Sequence, residues 1–206
     1  MFSLLAKIAR TPNTVIPTAA FIDTDTELQA VGAQLEKKIQ KLFRGSLAIR
    51  QVDVGSDNAA EQECIALGNA YYDVERFGVH FVASTKHADM LMVTGPVSRN
   101  SRAALIRAYE TTPDPKIIVA VGDDAIDGGI FKGSYAIEGG VSSVIPVDFN
   151  IPGDPPSPKD MICHLLRILG AVEEKNGGNP GVHPSPQPSP REGRGGNTPK
   201  GRNAAK

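Results

Sequence analysis

Residues that build cofactor or cross-link chemistry are scarce in this chain. Two cysteines among 206 residues exclude a disulfide framework, and also a four-cysteine zinc or iron–sulfur site built from this chain alone. Tryptophan is absent and aromatic residues make up 5%. No apolar run approaches the ~18 residues of a transmembrane helix. Neither sign of charge dominates: 22 Lys and Arg stand against 23 Asp and Glu, a net of -1. No global field therefore points to a nucleic-acid partner. The opening MFSLLAKIAR has too short an apolar stretch and no small-residue cleavage site, so it does not read as a signal peptide. What is present is a hydrophobic fraction of 40%, enough for the core of one ordinary domain with tails. The composition predicts a cytoplasmic, soluble or peripheral protein.

Charge shifts along the chain. From residue 171 onward lie Lys175, Arg191, Arg194, Lys200, Arg202 and Lys206, against Glu173, Glu174 and Glu192. Setting these aside leaves 16 basic and 20 acidic residues, a net of -4. A mildly acidic body thus carries a basic tail. Asn176–Pro190 is Gly, Pro, Ser and Asn with almost nothing to bury. It cannot offset an ordering entropy of ~1–2 kcal/mol per residue, so residues 172–206 are expected to be disordered. The spacing of Pro184, Pro186, Pro188 and Pro190 would suit polyproline II in a partner's groove, but composition alone favours a dispensable extension. Residues 1–45 read as a separate piece. Phe2, Leu4, Leu5 and Ile8 form a short amphipathic stripe fit for a membrane surface or a partner groove. Leu28, Val31, Leu35, Ile39 and Leu42 then recur at helical spacing, with acid at the start and Lys37, Lys38, Lys41 and Arg44 at the end, and Gly45 stops the helix.

From residue 46 strand and helix alternate. Ser46–Val54, Val79–Ala83, Asp89–Thr94 (DMLMVT), Lys116–Val121 (KIIVAV) and Val144–Val147 read as strands. Asn58–Gly68, Arg99–Thr111 and Pro158–Leu169 read as helices. This order predicts an α/β domain over 46–171, an open, mostly parallel sheet with helices on both faces. Sites in such sheets gather beyond the carboxyl ends of the strands. Three loops hold those places: Gly55–Glu61, Gly122–Gly129 and Ile151–Pro156.

Each of these loops sets acid beside glycine. Asp57, Asp123, Asp124, Asp127 and Asp154 would repel one another if they converged, unless a cation joined them. Hard oxygen donors suit Mg²⁺, Ca²⁺ or Mn²⁺, which makes Asp57, Asp124 and Asp154 a candidate divalent-cation site. The middle loop partly imitates a calcium loop, but Ala125 and Ser134 stand at ligand positions and break the match. The plainer reading is structural. Asp57 or Asn58 caps the following helix, Asn58 with Glu61 makes a capping-box pair, and the remaining Asp residues close their own turns. No phosphate-binding loop, dinucleotide fingerprint, GxSxG or HExxH occurs. Cys163 and His164 are helical neighbours pointing about 100° apart and form no nucleophile–base pair. Cys64 reads as a small core residue, His80 and His87 as surface groups, and Arg99 and Arg102 as a solvated face.

The same loops carry a resemblance. VDVGSDNAAEQE (52–63), YYDVERFGVHFVASTKHADMLMVTGPVSRN (71–100), TPDPKIIVAVGDDAIDGGIF (112–131) and IPVDFNIPGDPP (145–156) resemble the small subunit of membrane-bound, energy-converting (group 4) [NiFe]-hydrogenases and formate hydrogenlyase. More distantly they resemble the 20 kDa subunit of NADH:quinone oxidoreductase (complex I). The resemblance covers about residues 46–170. It implies a flavodoxin-like fold whose loops hold one [4Fe-4S] cluster beside a catalytic large subunit. The hydrogenase-type pattern G-S-C-N-G-C-E, G-D-C and P-G-C-P-P would put the four ligands at Asp57, Ala60, Asp124 and Asp154, none of them cysteine.

A cubane needs four soft anionic ligands, one per iron. Three Asp and one Ala supply no thiolate, so no cofactor is expected. Yet the scaffold text is kept at Gly55, Glu61, Gly122, Gly128, Gly153 and Pro155. The sequence therefore predicts a structural or coupling subunit of a hydrogenase-like or complex I-like assembly that has lost its cluster. The alternatives are a redox subunit with an atypical Asp-ligated cluster, or a divalent-cation site in the former cluster cavity. The implied partners are a hydrogenase-like large subunit and membrane ion-translocating subunits. The implied location is peripheral, at the inner face of the cell membrane.

Overall fold

The computed structural model describes residues 25–178, with side chains through Lys175. The amphipathic stripe at 2–8 and the proline repeat at 184–190 lie outside the described residues. Seven strands and five helices follow in order. They are α1 (Thr26–Phe43), β1 (Leu47–Asp53), α2 (Ala59–Ala66), β2 (Val79–Phe81), β3 (Met90–Thr94), β4 (Val97–Ser98), α3 (Arg102–Thr111), β5 (Ile117–Val121), α4 (Asp123–Asp127), β6 (Ile137–Gly139), β7 (Phe149–Ile151) and α5 (Pro158–Gly178).

Residue choice on the central strands dictates the layering. β3 and β5 are buried at every position, so each presents apolar side chains to both faces. Met90, Met92, Ile117, Val119 and Val121 join one core with Leu35 and Ile39 of α1, Cys64 of α2 and Met161, Leu165 and Leu169 of α5. Leu91, Val93, Ile118 and Ala120 join a second core with Leu105 of α3 and Ala125 of α4. A strand apolar on both sides needs a helix layer on each, and this chain supplies three helices to one face and two to the other. The five-stranded sheet runs β2-β1-β3-β5-β7, all neighbours parallel. Numbered among themselves these strands follow the 2-1-3-4-5 order of flavodoxin, with its switch point between β1 and β3. Asp89 and Asp148 fix the start of the ladder: their carboxylates accept from Ala48 N and Ile118 N, each at 2.9 Å.

Three expectations are corrected. Val144–Val147 is not a strand: its apolar residues fold into a turn that buries Ile145, and the edge strand is Phe149–Ile151. The paired strands β4 and β6, antiparallel to each other, form a small ribbon outside the main sheet. The tail does not begin at 172, because α5 runs on to Gly178, with Val172 buried in the first core. Residues 26–43 are likewise no separate piece, since Leu28, Leu35 and Ile39 are 3% exposed or less within that core.

Ion pairs tie α1 to α5. Asp25 caps α1 by accepting from Leu28 N, and Lys159 donates to Asp25 at 3.1 Å and Glu27 at 2.8 Å. Glu173 accepts from Lys38 at 2.7 Å and also pairs with Lys41. Those two ammonium groups hold its carboxyl down to about 2, from an ordinary 4.5. A depressed native value means stability that is present above 4.5 and is lost as pH falls toward 2. Glu173→Gln should lower the thermal midpoint by a few degrees at most at neutral pH, because such pairs are solvent-screened. Thermal melts near pH 7 and pH 2 check this, with the difference between the two proteins vanishing at the acid end.

Candidate functional site

The carboxyl ends of β1, β3, β5 and β7 open on one side of the sheet, and the loops leaving them meet there. Ser56, Asp57, Ala59, Ala60, Gly95, Val121, Gly122, Asp123, Asp124, Gly153, Asp154 and Pro155 line a shallow, solvent-open pocket. The four positions that the resemblance assigns to ligands are thus brought together: Asp57, Ala60, Asp124 and Asp154. Of the scaffold residues, Gly122, Gly153 and Pro155 line the pocket, whereas Gly55, Glu61 and Gly128 do not. The loop after β3 also contributes through Gly95, which the sequence reading missed. Gly95 has φ +78, and a Cβ there would collide with the backbone of Ser56. Only glycine lets this turn close on the loop after β1.

Local hydrogen bonds shape the acidic loops. The Asp53 carboxylate accepts from Gly55 N at 2.8 Å and Ser56 N at 2.9 Å, which curls the first loop. Asp57 accepts from Ala59 N at 2.9 Å at the start of α2. Asp123 accepts from Gly153 N at 3.0 Å and so links the second loop to the third. Asp127 accepts from Gly129 N and pairs with Lys132 at 3.1 Å. Turn and cap roles therefore account for part of the acid, as the plainer reading expects. They do not account for Asp124 or Asp154, whose carboxylates have no hydrogen bond or ion pair among the described residues.

Asp124 is half-buried, and its Oδ1 occupies the space that a Cβ at Gly129 would need. Burial, then the charges of Asp154, Asp57, Asp123 and Asp127, holds its carboxyl above the ordinary 3.8 of aspartate.

The capping box is not formed. Asn58 sits at φ 75 with no side-chain cap bond. Glu61 instead turns inward: it is 7% exposed, and neither side-chain oxygen has a hydrogen-bond partner among the described residues. Cys64 lies 3.9 Å from Met161 Sδ in the core, and burial together with Glu61 and Glu63 pushes its thiol up to about 12. Cys163 lies on α5, and neither cysteine lines the pocket. The side chains at the four positions that the resemblance gives to ligands are thus three carboxylates and a methyl group that can ligate nothing, a set that does not fit a [4Fe-4S] cubane. Nor are three or more His, Cys, Asp or Glu side chains grouped to hold a metal ion among the described residues. The candidate divalent-cation site at Asp57, Asp124 and Asp154 is therefore a shared pocket without a preformed ligand set.

Fold and site together define a class: an α/β domain of flavodoxin topology whose switch-point crevice is walled by acidic, glycine-rich loops. Residues 58–168 match the family described as NADH ubiquinone oxidoreductase, 20 Kd subunit, and the chain belongs to that family. It is 38% identical over 151 residues to formate hydrogenlyase subunit 7 of Escherichia coli, covering 73% of this chain and 58% of that one. It is 42% identical over 139 residues to a probable membrane-bound hydrogenase subunit of Pyrococcus furiosus, covering 66% and 83%. It is 48% identical over 112 residues to an NADH-quinone oxidoreductase subunit of Bacteroides thetaiotaomicron, covering 54% and 57%. The chain thus spans less than two thirds of the first and third of these relatives. Among solved structures it is similar to a chain of the membrane-bound sulfane sulfur reductase, an archaeal respiratory membrane complex. That match has a TM-score of 0.57 and 29% identity, over 69% of this chain and 76% of the other. The resemblance drawn from the motif text holds.

Two stability outcomes follow from the site. A raised native carboxyl value makes the charged form a penalty, present at neutral pH and removed by protonation as pH falls. Asp124→Asn is therefore expected to raise the thermal midpoint by a degree or two at pH 7, with the gain fading below 3.8; an equal or lower midpoint at pH 7 contradicts this. Glu61→Met exchanges an unpartnered buried carboxylate for an apolar group of similar length. It should raise the midpoint by about 3 °C or more, read by calorimetry.

Proposed function

We propose that this chain is a structural or coupling subunit of a membrane-bound, hydrogenase-like or complex I-like assembly, and that it carries no [4Fe-4S] cluster. It docks a hydrogenase-like large subunit and connects it to ion-translocating membrane subunits without passing electrons itself. The observation that carries this reading is the pocket itself. The loops after β1, β5 and β7 meet in one pocket, where the residues at the four positions that the resemblance gives to ligands are three carboxylates and one methyl group. The named relatives support the assembly: formate hydrogenlyase subunit 7, a membrane-bound hydrogenase subunit, and an NADH-quinone oxidoreductase subunit. No described helix is long and apolar enough to cross a membrane, which agrees with peripheral attachment through partner subunits at the inner face.

The deciding experiment is iron and acid-labile sulfide analysis of the chain co-expressed with its neighbouring subunits and purified without oxygen. An intact complex with no iron traceable to this chain is the expected result. About four irons and four sulfides assigned to this chain would instead establish an Asp-ligated cluster and an electron-transfer role. A companion variant, Asp57→Cys with Ala60→Cys, Asp124→Cys and Asp154→Cys, is expected to take up a cluster on anaerobic reconstitution and give an EPR signal when reduced. The unchanged chain, treated the same way, should give none.

A further inference from the structure

We draw no further inference here: the strongest candidate, the exposed apolar surface at Ile65 on α2 and Tyr71 in the turn after it, carries nothing because nothing among the described residues shows what covers it.

Discussion

Everything at the site depends on β1 and β3 lying side by side and parallel. Five residue pairs, Ile49–Met90 through Asp53–Thr94, hold that register. Because the chain turns outward to β2 on one side and β5 on the other, the loops after β1 and β3 are not filled by a helix crossing between them. They face each other across a gap, and such a switch point is where doubly wound sheets bind ligands. Gly95 brings these two loops together at Ser56, and next to them the Asp123 carboxylate, accepting from Gly153 N, ties the loop after β5 to the loop after β7. The backbone therefore builds the cradle regardless of which side chains stand in it.

The crevice has an energetic side. Carboxylates gathered at one crevice oppose each other, and half-burial of Asp124 adds to the cost. Neutral side chains at 124 and 154 would remove the repulsion without touching the backbone bond of Asp123 to Gly153 N. Glu61, buried one residue beyond Ala60 with neither oxygen satisfied, is a second strained element in the same helix turn. Both features oppose the stability of the described chain rather than support it.

How much was legible in the sequence varied with how local the cause was. DMLMVT and KIIVAV read as buried strands because each residue meets a core on one face or the other. The 3.6-residue stripe of α1 gave its buried face correctly at Leu28, Leu35 and Ile39. The three acidic loops were legible because acid and glycine recur after each strand. Failures arose where distant partners decide. The end of α5 looked like tail by composition, yet Val172 meets the core and Glu173 is held by Lys38, 135 residues earlier. Val144–Val147 is a short apolar run that reads as a strand, but the Asp148 carboxylate accepts from Ile118 N and the ladder starts one residue later, at Phe149. Gly95 gave no signal beyond one glycine after an apolar run. The inward turn of Glu61 gave none at all, since Asn58 and Glu61 have the spacing of a capping pair.

The contrast between Asp123 and Asp124 shows why spacing alone does not assign function. They are adjacent, in the same loop, and both line the pocket. Asp123 spends its carboxylate on Gly153 N and so holds two loops together, a role any member of the fold would value. Asp124 spends its carboxylate on nothing within the described chain, and its charge is opposed by four neighbouring aspartates. The first is explained by the domain and the second is not.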